Sequence, residues 1–240
     1  MTMRRFALVF GVVGLLAAAA LPAKAASNEP WTSFYGGAHA GYGWADVSGW
    51  DNLFNADIGS ATASGWIFGG QLGYDLQMAN WVLGAQVSLA AADLTGSHLF
   101  LDGTGPTDRV HYDIKYLGTL SGRIGYTVTP DALVYLKGGG AWARTNYEDS
   151  DPAPLFGFPP YTGSTEDSRL GWLVGLGLEY RMLKHLSLYA EYQHMGFGDS
   201  DVTIVYSDGV IGYYSFSQSI DSVILGLNYR FYGPGQGGPQ

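Results

Sequence analysis

From residue 34 onward the sequence alternates. Read two at a time, residues 34–44 give Phe34, Gly36, Ala38, Ala40, Tyr42 and Trp44 in one phase, and Tyr35, Gly37, His39, Gly41 and Gly43 in the other. Residues 66–76 set Trp66, Phe68, Gly70, Leu72, Tyr74 and Leu76 against Ile67, Gly69, Gln71, Gly73 and Asp75. A period of two is the mark of a strand whose faces meet different surroundings. It continues through about 81–91, 112–126, 132–144, 170–181, 186–197 and 215–231, making eight strands. Each is long enough to cross a bilayer as a tilted strand of about 9–11 residues.

The connections narrow the architecture. Residues 46–63, 93–110, 147–168 and 198–214 are long, 78–80, 128–131 and 183–185 are short, and the two kinds alternate without exception. Outer-membrane barrels have short periplasmic turns and long external loops; here both termini fall on the periplasmic side. A soluble lipocalin-like barrel, the alternative, needs no such alternation. The predicted fold is all-β: an eight-stranded antiparallel up-and-down transmembrane β-barrel over residues 26–231.

Charge placement follows the same geometry. Most of the 21 acids lie in the four long connections, which hold a single base, Arg109. On the strands one phase carries Asp75, Asp113, Lys115, Arg123, Lys137, Glu179, Arg181, Glu191 and Arg230. The opposite phase carries only Arg144 and Asp221, both near the loop ends. A charge facing lipid costs about 2–4 kcal/mol at the midplane and little at the interface, so the second phase faces lipid. Aromatics on that phase form two belts, as amphipathic rings at two interfaces should. Phe34, Tyr74, Trp81, Tyr126, Tyr180, Tyr229 and Phe231 belong to the periplasmic rim; Trp44, Trp66, Tyr112, Trp142, Trp172 and Tyr192 belong to the external rim.

The ends of the chain are of another kind. Arg4 and Arg5 precede an apolar run from Phe6 to Leu21, and Ala23-Lys24-Ala25 offers a small-residue cleavage site. Residues 1–25 therefore read as a secretory signal peptide rather than a spanning helix, for which the run is short. Cleavage takes away three bases and no acid, so the mature chain is more acidic than the formal charge of −9 of the whole sequence. That balance argues against nucleic acid, which needs a basic footprint. There is no cysteine, hence neither a lipid-anchored lipoprotein nor a disulfide scaffold. Residues 232–240, "YGPGQGGPQ", read as a flexible tail.

The inward charges admit several readings. An eight-stranded barrel has a bore just wide enough to be filled by side chains. Five bases and four acids there, with Gln71, Gln86 and Asn228, predict a salt-bridged plug that shuts the bore, because buried charges normally pair. Across the short turn at Lys184 and His185, Glu179 should stand opposite Glu191 or one diagonal step away, with Arg123, Lys137 or Arg181 between them. Inward glycines such as Gly73, Gly125, Gly139 and Gly175 should make room for the long side chains. The alternatives are a narrow polar pore or gate, and a glycosidase-like carboxylate pair, for which a filled barrel leaves no cleft.

Other chemistry finds little support. The five histidines, at 39, 98, 111, 185 and 194, have no metal-ligand spacing. A lipid-modifying hydrolase needs a convergent Ser/His/acid set, but alternation sends His194 outward while Ser187 and Glu191 point inward. No nucleophile motif and no cofactor motif is present. The loop "EDSDPAPLFGFPPYTGSTED", 148–167, suits either a mobile polar loop or an adhesive surface.

Several segments resemble the small porin-family outer-membrane proteins of alphaproteobacteria, the outer-membrane immunogenic or opacity-type proteins. They are "SFYGGAHAGYGW" (33–44), "GGQLGYDLQMANWVLGAQ" (69–86), "LSGRIGYTVTPDALVYLKGGGAWA" (120–143), "GWLVGLGLEYRMLKHLSLYAEYQHMGFG" (171–198) and "ILGLNYRF" (224–231). The resemblance spans the mature chain. It implies an eight-stranded barrel at the cell surface of a Gram-negative bacterium, with a part in envelope integrity and in host or environmental contact through the loops, and no enzyme activity. Outer-membrane lipid, lipopolysaccharide and the outer-membrane assembly machinery are the partners it implies. Gly226, Tyr229 and Phe231 resemble the assembly signal of such proteins, although here the final aromatic does not end the chain. The family often has Glu where this chain has Gln86.

Overall fold

A computed structural model describes residues 31–51, 56–99, 109–151, 161–205 and 211–231. They form eight strands: β1 (Ser33–Asp51), β2 (Ala56–Met78), β3 (Trp81–Leu99), β4 (Arg109–Thr129), β5 (Ala132–Asp151), β6 (Tyr161–Leu183), β7 (Leu186–Val205) and β8 (Ile211–Phe231). Every strand pairs antiparallel with its sequence neighbours, and β1 closes on β8, from Phe34↔Phe231 to Asp51↔Tyr214. Closure leaves no sheet edge, so the backbone polar groups of the wall satisfy one another.

Turns Ala79–Asn80, Pro130–Asp131 and Lys184–His185 join the strands at one end. At the other end the strands run farther than the periodicity predicts. They reach 19 to 23 residues, roughly twice what a tilted crossing needs. Stretches such as 46–51, 56–63 and 161–169 belong to strands rather than loops. Their apolar alternation fades because the wall there stands beyond the apolar band, yet main-chain pairing continues. The remaining connections, the expected signal peptide (1–25) and the expected flexible tail (232–240) lie outside the described residues.

Exposure alternates along the walls. On the outside, Leu72, Leu89, Leu120, Leu136, Leu176 and Leu225 are more than half exposed, a waste in water and natural in lipid. The aromatic belts border this band. Phe34–Tyr74, Trp81–Tyr126 and Tyr229–Phe231 are in ring contact at one rim, and Tyr42–Trp66 at the other. Tyr180, Trp172 and Tyr192 are also outward and about half exposed, while Trp44 and Trp142 are partly covered. The core lies inside the barrel. A floor of Trp31, Val82, Leu133 and Tyr135 stands at the turn end, and an apolar cluster including Ile67, Leu94, Ile114, Leu173, Met195 and Ile220 occupies the other half.

One irregularity re-aims two charges. Ile114 and Tyr116 of β4 pair with consecutive residues Thr145 and Arg144 of β5, so Lys115 is the extra residue of a bulge. Below it odd-numbered residues of β4 face inward; above it Ile114 does. A bulge is the device that changes the phase of one strand within a ladder.

Candidate functional site: the charged layer in the bore

Inward alternation brings side chains from five strands to one level. Arg123 (β4) donates from Nε to Asp75 Oδ1 of β2 at 2.8 Å, from Nη2 to Asp75 Oδ2, and from Nη1 to Glu179 Oε2 of β6 at 3.0 Å. Arg230 (β8) bridges the same two acids, 2.9 Å to each. Glu179 Oε1 also accepts from Ser187 Oγ at 2.5 Å and Asn228 Nδ2 at 3.1 Å. All four charged side chains are at most 2% exposed. Two guanidiniums between two carboxylates form a neutral square, the arrangement in which buried charges are tolerated.

A second pair lies one step farther along the bore. Lys137 Nζ (β5) is 2.5 Å from Glu191 Oε1 (β7), whose carboxylate also accepts from Tyr135 Oη at 2.8 Å and from Gln193. Rings join the two groups. Arg123 stacks 4.7 Å from the Tyr35 centroid and 4.9 Å from Tyr135, and Arg230 lies 4.6 Å over Trp31. Tyr35 donates to Gln86 Oε1 at 3.0 Å, and Gln71 donates to Asn228 Oδ1 at 2.7 Å. Desolvated cation–ring stacking adds to the ion pairs.

Glu179 stands opposite Tyr189, and Glu191 opposite Gly177, so the two acids are one diagonal step apart. They are held by different cations. Arg181 does not lie between them: it reaches the turn instead, where its Nη2 is 2.5 Å from Asp131 Oδ1. Asp113 and Lys115 are also absent from the layer. The bulge turns them outward, where they pair with each other at 3.2 Å, Lys115 being 48% exposed. The layer thus consists of Asp75, Arg123, Lys137, Glu179, Glu191 and Arg230.

Glycines make the layer possible. A Cβ on Gly73 would stand 2.4 Å from the Tyr35 ring, on Gly84 2.2 Å from Asp75 Oδ1, and on Gly177 2.3 Å from the Tyr135 ring. Gly139 differs: there a Cβ would meet the backbone of Leu120 at 2.1 Å, so the position serves close strand approach rather than side-chain room. Tyr35, Tyr135, Tyr189 and Trp31 are the participants that counting charges overlooks. Each stands in, or just ahead of, the inward phase, and that is the signal that could have found them. His194 is outward, 2.8 Å from Asp221 Oδ1, away from Ser187 and Glu191.

Residues 13–231 match the family model described as outer membrane protein beta-barrel domain. The chain belongs to that family. As an outer-membrane barrel it resides in the outer membrane of a Gram-negative bacterium, in a lipid environment that suits its exposed leucine band. It is 27% identical to the 31 kDa outer-membrane immunogenic protein of Brucella melitensis, over 92% of this chain and 97% of that one. It is 22% identical to the 25 kDa outer-membrane immunogenic protein of Brucella abortus, over 75% of this chain and 72% of that one. The outer membrane protein OprG from Pseudomonas aeruginosa shares the barrel, with a TM-score of 0.56 at 14% identity, covering 84% of this chain and 98% of that one.

Proposed function

We propose that this outer-membrane barrel is a closed structural element of the envelope that meets its surroundings through its acidic external face. The observation that carries the reading is the neutral square of Asp75, Arg123, Glu179 and Arg230, stacked against Tyr35, Tyr135 and Trp31 across the bore. An ion passing this level would have to break charge-assisted hydrogen bonds in a low-dielectric interior, where they are strongest. Catalysis is not part of the reading: Glu179 is committed to two guanidiniums, and Ser187 only donates to it. The Brucella relatives are outer-membrane immunogenic proteins, which supports contact with a host or an environment through the external connections. Lipopolysaccharide around the belts and the assembly machinery acting on Gly226, Tyr229 and Phe231 are the further partners.

A small pore is the second reading, favoured by one observation, a cavity immediately beyond the layer with His39, Gln193 and Ser222 in its wall. Single-channel recording of the refolded mature protein in planar bilayers decides between them. Silence, with heat-modifiable gel mobility showing a folded barrel, supports the closed element. Discrete openings would replace it with the pore and make Lys137 and Glu191 selectivity residues.

A further inference from the structure

Beyond the charged layer the bore changes character twice. At mid-height lies a cavity of about 20 Å³ lined half by polar side chains, among them His39, Thr119, Gln193 and Ser222, and half by apolar ones such as Leu117 and Met195, room for a water or two. Around it Thr119 Oγ1, Ser121 Oγ and Ser222 Oγ are buried without a hydrogen-bond partner, and Lys137 Nζ has only its ion pair with Glu191. Each such group left dry costs about 1–3 kcal/mol. Two of them, Thr119 and Ser222, line the cavity, a pattern that internal water explains.

Toward the external end the cavity is roofed by apolar side chains. Leu94, Ile114, Leu173, Met195, Phe197 and Ile220 are at most 7% exposed and belong to one cluster. They fill the bore by leaning over glycines: a Cβ on Gly43 would meet Ile67 at 2.8 Å and Leu94 at 3.2 Å, and one on Gly171 would meet the Phe197 ring at 2.8 Å. The side chains of this cluster are apolar, with buried Thr145 opposite Ile114 and buried Arg169 opposite Ala143 as its polar neighbours, and an apolar constriction stops ions by excluding water.

We infer that the lumen is closed twice, by the charged layer on the periplasmic side and by the apolar layer on the external side, with a water-holding chamber sealed between them. The inference rests on the closed-lumen reading and adds to it a definite consequence. Opening the charged layer leaves the barrel non-conducting, because the apolar layer still excludes water.

The test uses the full mature protein. Arg123→Ser with Glu179→Ser removes one charge of each sign, leaves the Asp75–Arg230 pair, and makes space in the charged layer. Met195→Ser with Ile220→Ser wets the apolar layer. Neither pair of substitutions alone should give conductance, and the four together should give discrete openings. Ser222→Cys, in a chain that has no other cysteine, reports on the chamber itself and needs none of those substitutions. In the otherwise unaltered barrel its thiol should react with methyl methanethiosulfonate only after heat unfolding, and in the folded barrel once either layer is opened. Openings from Arg123→Ser/Glu179→Ser alone would overturn the second closure while leaving the closed-lumen reading intact. Openings from the unaltered barrel would remove that reading too. Silence of the fourfold variant in its folded form, or rapid reaction of the Ser222→Cys thiol in the unaltered barrel, would overturn the sealed chamber.

Discussion

Glu179 is surrounded by donors: two guanidiniums, a serine hydroxyl and an asparagine amide. Glu179→Gln keeps its shape and removes its charge, so Arg123 and Arg230 are left with Asp75 alone. Breaking a buried pair by removing one partner costs about 3–5 kcal/mol. The variant should unfold at a correspondingly lower temperature in detergent or vesicles, with its bilayer recordings still silent; an unchanged midpoint would show that the layer adds nothing to stability. Lys137 and Glu191 offer the complementary test. Lys137→Met alone strands a buried carboxylate, whereas Lys137→Met with Glu191→Met strands nothing. The double variant should therefore be clearly more stable than the single one, and a double-mutant cycle on thermal midpoints measures the difference.

At the scale of elements the strands were legible and their irregularities were not. Alternation of Trp66, Phe68, Leu72 and Tyr74 with smaller or polar residues marks β2 because one face meets lipid and the other the bore. Nothing in "HYDIKYLG" marks Lys115 as an extra residue, since a bulge obeys the neighbours' hydrogen bonding and not the strand's own pattern. Deleting Lys115 would take out the extra residue and restore a simple period of two with Ile114 still inward and Asp113 still outward. The deletion should therefore leave the heat-modifiable, folded fraction on refolding nearly unchanged, and a sharp loss would show that the bulge itself is needed. The turn after β2 permits a gain instead. Ala79 has φ of 55°, a conformation costing an L-residue roughly 1–2 kcal/mol and glycine nothing comparable. Discounted for the extra freedom glycine has in the unfolded chain, Ala79→Gly should stabilise by a few tenths to about 1 kcal/mol, seen as a rise in the unfolding midpoint. A fall would mean that the turn relaxes around alanine.

At the scale of the molecule, the barrel divides along its axis into a floor, a charged layer, a hydrated cavity and an apolar layer, inside a wall that continues past the membrane band. The charged layer gives inward side chains of β2, β4, β5, β6, β7 and β8 one common arrangement, and so ties strands far apart in sequence to one register. Assembly belongs to this scale as well. If Tyr229 and Phe231 act as the assembly signal, Tyr229→Ala with Phe231→Ala should lower the amount of barrel in the outer membrane of cells. Refolding of the purified chain, which needs no machinery, should change much less. Equal loss in both experiments would assign the two rings to stability rather than recognition.

By itself the sequence determined the number of strands, their direction, the lipid-facing side and the set of residues from which the inner layer is drawn. All of these follow from a period of two and from the cost of placing charge in lipid, and both are local in the chain. Only the tertiary structure decided which charges meet. Arg123 and Arg230 sit between Asp75 and Glu179 because the stagger of eight strands brings those positions to one height. Arg181, of the same phase as Glu179, is carried to the turn and Asp131, and Asp113 and Lys115 are turned outward by a bulge set by β5. Heights in a closed barrel depend on every ladder at once, and no single stretch of sequence contains that sum.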